Sequence, residues 1–148
     1  MQTIHIRVLQ ASDYPLWRPL WNAYLAFYQT SLPEATTQNT WHKLTHHAAV
    51  QGWGAFDGGG NMLGFVHTVC HPNTWNTTDC CYLEDLFVCP EARRQGLAKR
   101  LIETVYAFAE AEQLNRVYWV TDVRNEAAQA LYHQLAAQTD MVQFRKNF

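Results

Sequence analysis

Between Cys80 and Arg100 the chain reads CCYLEDLFVCPEARRQGLAKR, and this stretch constrains the fold more than any other. Residues Cys81 to Val88 are rich in aromatic and branched side chains and predict a strand. Pro90 ends that strand, because proline cannot donate to a ladder. Leu97, Leu101, Ile102, Val105, Tyr106 and Ala109 then recur at helical spacing. A strand therefore passes through a short loop into a helix whose first N–H groups are unpaired and carry a partial positive charge. The connection is Arg93, Arg94, Gln95, Gly96, Leu97, Ala98, Lys99 and Arg100. Gly96 has no side chain and Ala98 almost none, so an anion can approach the backbone closely. Exposed cations at a helix N-terminus oppose the macrodipole by ~0.3–1 kcal/mol each. Arg93, Arg94, Lys99 and Arg100 are better explained if a phosphate binds among them. A solvated basic first turn would show the same pattern, so this stretch by itself leaves both readings open.

The rest of the chain supplies a framework for that unit. Thr3 to Val8 alternates and predicts a first strand. Ser12 to Pro15 is a helix-start signal, followed by the stripe Leu16, Trp17, Leu20, Trp21, Tyr24, Leu25 and Tyr28. Pro19 predicts an irregular first turn there. The stripe reads as core or as an interface. Thr36 to Val50 predicts a second helix with Trp41, Leu44 and Ala48 on one face. Its His42 and His46 lack the acid of a metalloprotease helix, so no metal site is expected. Trp53–Phe56 and Met62–Cys70 read as strands joined by the hairpin turn Asp57-Gly58-Gly59-Gly60-Asn61. His71 to Asp79 is a polar loop, and such loops often carry substrate contacts. Its Trp75 either contacts substrate or packs down to anchor the loop. Beyond the central unit, Arg116–Thr121 predicts a strand. Asn125 stands at an N-cap position, with Glu126 in the favourable first turn. Ala127, Ala128, Leu131 and Leu135 then face one way, and Val142–Lys146 predicts a last strand. The order β-α-α-β-β-β-α-β-α-β implies a mixed sheet with helices on both sides, an α/β or α+β domain.

The stretch with Arg93, Gly96 and Ala98 resembles motif A of the GNAT superfamily, the acetyl-CoA-dependent N-acetyltransferases. RVYWVTDVRNEAAQALYHQL, Arg116 to Leu135, is similar to the family's motif B, with Asn125 at a helix start and Tyr132 within the helix. YLEDLFV, YWVTD and the ALY of Ala130 to Tyr132 are closest to the branch named for histone and polyamine acetyltransferases. The likeness is close over residues 80–146 and looser elsewhere, and it implies the GNAT fold over 1–148, a mostly antiparallel central sheet flanked by helices. Where family members carry glycine and an aromatic before the last strand, this chain has Asp140 and Met141.

The resemblance also implies roles. Acetyl-CoA would lie between the central strand and the next. Its pyrophosphate would meet the N–H groups of Arg94, Gln95, Gly96, Leu97, Ala98 and Lys99, beside Arg93. Its pantetheine arm would pair with the backbone of Leu86, Phe87 and Val88 and be held by Asn125. Tyr132 would be general acid to the sulfur. It lies about two helical turns, ~10 Å, beyond Asn125. Glu84 would be the base. Asp85, on the opposite face if the pleat is regular, would be a structural partner unless a bulge intervenes. Tyr28, His71, Trp75 and Asp85 are the candidate acceptor contacts.

Composition narrows the function. With 48% hydrophobic and 16% charged residues over 148 positions, the chain can build a core and is not a disordered segment. A net charge of −2 gives no basic field for nucleic acid. No apolar stretch approaches the roughly 20 residues of a membrane span. MQTIHIRVLQ has no long apolar run, so no signal peptide is expected. Cys70, Cys80, Cys81 and Cys89 form no C-x-x-C pair and read as reduced thiols of a cytoplasmic protein. The expected activity is acetyl transfer to a primary amine of a small molecule: a polyamine, an amino acid or an aminoglycoside-like compound. The alternatives are a protein lysine or N-terminal acetyltransferase and an inert CoA-binding module. Trp17, Trp21, Tyr24 and Tyr28 offer more aromatic surface than one helix usually buries, so a homodimer or larger homo-oligomer is expected.

Overall fold

The computed structural model describes residues 3–148. Five strands form one sheet in the order in which they occur: β1 (His5–Val8), β2 (Val50–Phe56), β3 (Met62–His71), β4 (Cys80–Val88) and β5 (Val117–Tyr118). The first four are antiparallel neighbours, and β5 joins β4 in parallel. The helices are α1 (Tyr14–Phe27), α2 (Glu34–His46), α3 (Leu97–Ala111) and α4 (Glu126–Leu135).

Strand alternation sends side chains to two apolar layers. On one face Trp53, Val66, Leu83 and Val88 meet Leu101, Ile102 and Val105 of α3, with Tyr132 and Leu135 of α4 packed at the margin. On the other face Phe65 and Phe87 meet Trp17 and Trp21 of α1 and Trp41 and Leu44 of α2. Each large side chain fully buried contributes roughly 1.5–3 kcal/mol. The aromatic stripe of α1 is therefore intramolecular core at its centre. Trp17 is 0% and Trp21 5% exposed, which overturns the expectation that these indoles form a surface for self-association.

Several boundaries differ from the sequence expectation. A 3-10 turn at Ala11–Asp13 precedes α1, and Pro19 lies inside the helix. Helix α2 stops at His46, and Val50 already belongs to β2, because the chain must turn onto the sheet before that strand pairs with β3. Strand β5 is two residues long, where six were expected from Arg116–Thr121. Residues Val142–Lys146 form no strand. Met141, Val142 and Phe144 are 86%, 77% and 92% exposed, and nothing among the described residues covers an apolar face there.

Candidate active site

The β4–β5 pairing is where the sheet opens. Only Cys81 and Tyr82 of β4 have partners on β5, Val117 and Tyr118. From Leu83 to Val88 the β5 side of β4 is unpaired. The N–H of Cys89 donates to Leu63 in β3 at 2.8 Å. Antiparallel alternation then turns the backbone of Phe87 toward β3 and that of Leu86 and Val88 toward the opening. The Phe87 carbonyl does face β3: a Cβ added to Gly64 would lie 2.7 Å from its oxygen. Of the three predicted contacts, Leu86 therefore presents free backbone groups and Val88 a free N–H, its carbonyl being taken by Arg93, while Phe87 contributes its ring to the core instead.

Beyond Val88 the chain makes a 3-10 turn at Pro90–Ala92 and enters α3. Arg94 has φ +63° and Gly96 φ +74°. Alternating hands of this kind curl successive N–H groups inward and make an anion-binding concavity. Among the described residues, the backbone N–H groups from Arg94 to Lys99 find no acceptor. Arg93, Arg94, Gln95, Gly96 and Lys99 are exposed, whereas Leu97 is buried as the first core residue of α3. The cations are not equivalent. Arg93 donates through Nε to the Val88 carbonyl at 3.0 Å, and Arg100 donates to the Ile4 carbonyl at 3.1 Å. Lys99 lies 3.9 Å from Glu103. The concavity is a backbone device, and these side chains tie it to β4, to Ile4 just before β1, and to α3.

Asn125 is the N-cap of α4, and its Oδ1 accepts from the Ala128 N–H at 3.2 Å. Its amide NH2 has no protein partner among the described residues. Tyr132, one turn before the end of α4, packs edge-on against Trp119 with centroids 5.4 Å apart. Burial, and then the neighbouring Tyr28 phenol, push its hydroxyl above the usual tyrosine range. It therefore carries its proton at neutral pH.

A bulge shapes the other half of the site. His67 of β3 pairs with Asp85, but Thr68 pairs with Leu83, so Glu84 is the extra residue of β4. Leu83 and Leu86 both belong to the α3 layer, while Asp85 and Phe87 face α1. By alternation from Tyr82, Glu84 faces α1 as well. Both carboxylates thus share one face, which corrects the expectation that regular pleating separates them. Tyr24 donates to Asp85 Oδ1 at 2.7 Å, and His67 Nδ1 lies 2.9 Å from Asp85 Oδ2. Glu84 has no such partner, and its side chain is exposed in part while its carboxyl lies against the sheet. Withdrawal of its carboxyl from bulk water against the sheet, and then the charge of Asp85, hold it above the usual glutamate range. Tyr28 is 52% exposed, and its phenol is raised by burial and then by Asp85. Its ring packs edge-on against that of Tyr24, with centroids 5.1 Å apart.

His71, Tyr118 and Tyr82 extend the same face: His71 Nε2 hydrogen-bonds the Tyr118 hydroxyl, and the two tyrosine rings stack at 5.1 Å. Trp75 is not brought to this cluster. It is 92% exposed, so it does not anchor its loop. Asn73 does, donating to Cys80 Sγ at 3.0 Å and accepting from the Asn76 N–H at 3.0 Å. His67, Tyr82 and Tyr118 were absent from the candidates read from the sequence, and Tyr24 was read only as part of the apolar stripe. Their positions depend on pairings 61 and 47 residues apart, which no local pattern announces. The rings of His42 and His46 stack at 4.4 Å. Among the described residues no group of three His, Cys, Asp or Glu is placed to hold a metal.

The profile of the Acetyltransferase (GNAT) family matches residues 15–136. The D-amino-acid N-acetyltransferase HPA3 of Saccharomyces cerevisiae is 35% identical over 147 residues, covering 97% of this chain and 91% of that protein. Among solved structures, AAC(6')-Iy with a bisubstrate analogue, CoA-S-monomethyl-acetylneamine, superposes with a TM-score of 0.85 at 20% identity, over 99% of each chain. A ribosomal-protein-alanine N-acetyltransferase from Brucella melitensis gives 0.82 at 24% identity, over 99% of this chain and 100% of that one. The chain belongs to the GNAT acetyltransferase family. It is an acetyl-CoA-dependent N-acetyltransferase.

The raised carboxyl of Glu84 carries a cost with a definite sign. The folded state holds that proton longer than the unfolded chain does, whose glutamate titrates near roughly 4.3. Glu84 therefore weakens the fold as pH rises from there through its higher folded value. Glu84→Gln, which cannot ionise, should melt higher than wild type at pH 7, with the difference vanishing near pH 4. Equal melting temperatures across that range would show that Glu84 is not held above the ordinary value.

Proposed function

We propose that residues 1–148 act as one domain that acetylates a primary amine of a small molecule. The observation that carries this reading is the juxtaposition of two carboxylates, one held and one free, with phenols on a single sheet face beside the open edge of β4. A cationic amine is drawn to Asp85 and Glu84. Glu84, the carboxylate with the raised affinity for a proton, takes the proton from the ammonium, directly or through water. Acetyl-CoA, when bound, supplies the activated acetyl group. The N–H groups of Arg94 to Lys99, the free backbone of Leu86 and the Val88 N–H fit its pyrophosphate and amide-bearing arm, and the unpartnered Asn125 amide would hold that arm. Tyr132 gives its phenol proton to the departing sulfur. The relative HPA3, by name a D-amino-acid N-acetyltransferase, supports an amino acid as one acceptor class.

We also infer self-association, on a surface that keeps Tyr28 but not the buried indoles. Phe27, Tyr28, Trp75, Met141, Val142 and Phe144 leave apolar side chains in water, and a second copy of the chain is the occupant that would cover them. Light scattering should give a dimer or larger assembly, and a monomer at high concentration with and without acetyl-CoA would refute it. The cysteine usage supports a cytoplasmic setting.

Acetyl-CoA should raise the melting temperature, because a ligand bound only by the folded state stabilises it. Gly96→Asp should abolish that shift by placing a negative charge in the concavity. Gly96→Asn, of the same size and similarly tolerant of positive φ, should keep part of it. Wild-type shifts in both variants would move the phosphate site elsewhere.

Thiol release from acetyl-CoA with D-alanine, 1,4-diaminobutane, neamine and a basic peptide tests the substrate class. Turnover confined to the peptide would overturn the small-molecule reading. Tyr132→Phe should bind acetyl-CoA normally and lower kcat by ~10²-fold, the scale of lost general-acid help. An unchanged kcat would leave Tyr132 a packing residue.

A further inference from the structure

One buried histidine belongs to no role assigned so far. His67 is 2% exposed and lies four residues upstream of His71 on β3. Its ring stacks on Phe65 at 4.4 Å and 8°, with Trp17 and Trp21 close on the α1 side. Neither substrate nor solvent can reach it there. Its two ring nitrogens are nevertheless both engaged. Trp17 Nε1 lies 3.1 Å from Nε2, and Asp85 Oδ2 lies 2.9 Å from Nδ1.

The chemistry of these partners fixes the proton. An indole N–H can only donate. His67 Nε2 must therefore accept, and the ring hydrogen of the neutral imidazole stands on Nδ1, pointing at Asp85. An imidazolium, or the other tautomer, would set an N–H against the indole N–H and leave both donors buried without an acceptor, which is costly. Asp85 receives this bond on one oxygen and the Tyr24 bond on the other. Its carboxylate is thus gripped by β3 from below and α1 from the side, while its neighbour Glu84, displaced by the bulge, is free.

We infer that His67 is a positioning residue: Trp17 selects its Nδ1–H tautomer, and that N–H aims Asp85 at the acceptor ammonium. The inference rests on the acceptor reading of the Glu84–Asp85 face. It departs from a merely satisfied core histidine in one respect. A core histidine would matter for stability, whereas this one sets the affinity for the amine without touching it. Trp17 and Tyr24 are in the same chain of bonds, so α1 and β3 meet at Asp85 and register the acceptor site to the core.

Two readouts test it. In 15N NMR of the whole protein at pH 7, His67 should show a protonated Nδ1 and a bare Nε2, and Trp17→Phe should relax that preference. An Nε2–H tautomer in wild type would overturn the inference. The second readout is steady-state kinetics with whichever of D-alanine, 1,4-diaminobutane and neamine turns over. His67→Leu should raise the KM for that amine about tenfold or more, the scale of one lost hydrogen bond to a charge. The KM for acetyl-CoA should stay as in wild type. His67→Gln, whose amide can accept from Trp17 and donate to Asp85, should recover most of the loss. If His67→Leu does not fold, His67→Gln and Trp17→Phe are compared instead. Trp17→Phe should then show the higher amine KM, and equal wild-type values in both would overturn the inference. An unchanged amine KM in His67→Leu beside a slowed Glu84→Gln would overturn this inference alone. A silent Glu84→Gln, or no turnover of any of the amines, would remove the acceptor reading and this inference with it.

Discussion

Everything on the proposed acceptor side depends on one extra residue in β4. The register of β3 against β4 slips by a single position between His67 and Thr68. Without the slip, Glu84 and Asp85 would point to opposite faces, one of them into the apolar layer against α3. A carboxylate there would lack partners, and burying an unpaired charge is prohibitively unfavourable. With the slip, both point toward α1, and the apolar alternation resumes at Leu86 as though Glu84 had not been inserted. The bulge therefore reconciles two demands on the same strand: a continuous core on one side and a doubly anionic patch on the other. Glu84 is held above the usual glutamate range by desolvation against the sheet first and by the charge of Asp85 second.

The two halves of the site were unequally legible in the sequence. The acyl-donor half is local. Strand, loop, Gly96 and helix follow one another within Cys80 to Ala109, and each step has its own signal: branched residues, Pro90, a glycine and a helical period. The structure returns these elements almost at the expected bounds, with Gly96 in the left-handed conformation that glycine allows. Even there the side chains were less legible than the backbone. Four cations looked like a phosphate clamp, but Arg93 and Arg100 spend hydrogen bonds on the carbonyls of Val88 and Ile4. Basic composition reports charge, and only the fold reports which way the charge points.

The proposed acceptor half is non-local, and the sequence names Glu84 and Asp85 without showing the side chains that hold them. Trp17 and Tyr24 look like helix-face hydrophobes, and they are; their N–H and O–H groups are polar handles whose use depends on what lies opposite. His67 alternates with Phe65 in β3 like any inward-facing residue. Nothing near it in sequence marks the indole 50 residues away as its partner. The same limit explains the mistaken surface on α1. A stripe with this many aromatics seemed too large for one sheet, but α2 supplies Trp41 from the far side, 4.8 Å from Trp17, and the indoles are enclosed. The short β5 and the exposed end of the chain are a different case. Strand propensity is a measure of fit to a pleated, half-buried surface, and residues 142–146 have the propensity without the surface.

This division of labour also bears on how the two substrates are served. A phosphate can be met by backbone N–H groups whatever the neighbouring side chains, so a local loop suffices, and a glycine and a helix start provide most of it. An amine must be desolvated, oriented and deprotonated, which requires charges held at fixed positions. Fixed charges need donors brought from several elements, because a lone carboxylate on a strand rotates freely. Asp85 obtains its donors from β3 and α1. Small shifts of α1 along the sheet would therefore alter the acceptor pocket while leaving the concavity before α3 untouched. In this protein α1 is pinned by Trp17 and Trp21 in the core and by Tyr24 at the site. The orientation of the Asp85 carboxylate is thus coupled to core packing, and on the proposed acceptor role substitutions deep among the indoles should be felt in amine binding before they are felt in the binding of acetyl-CoA.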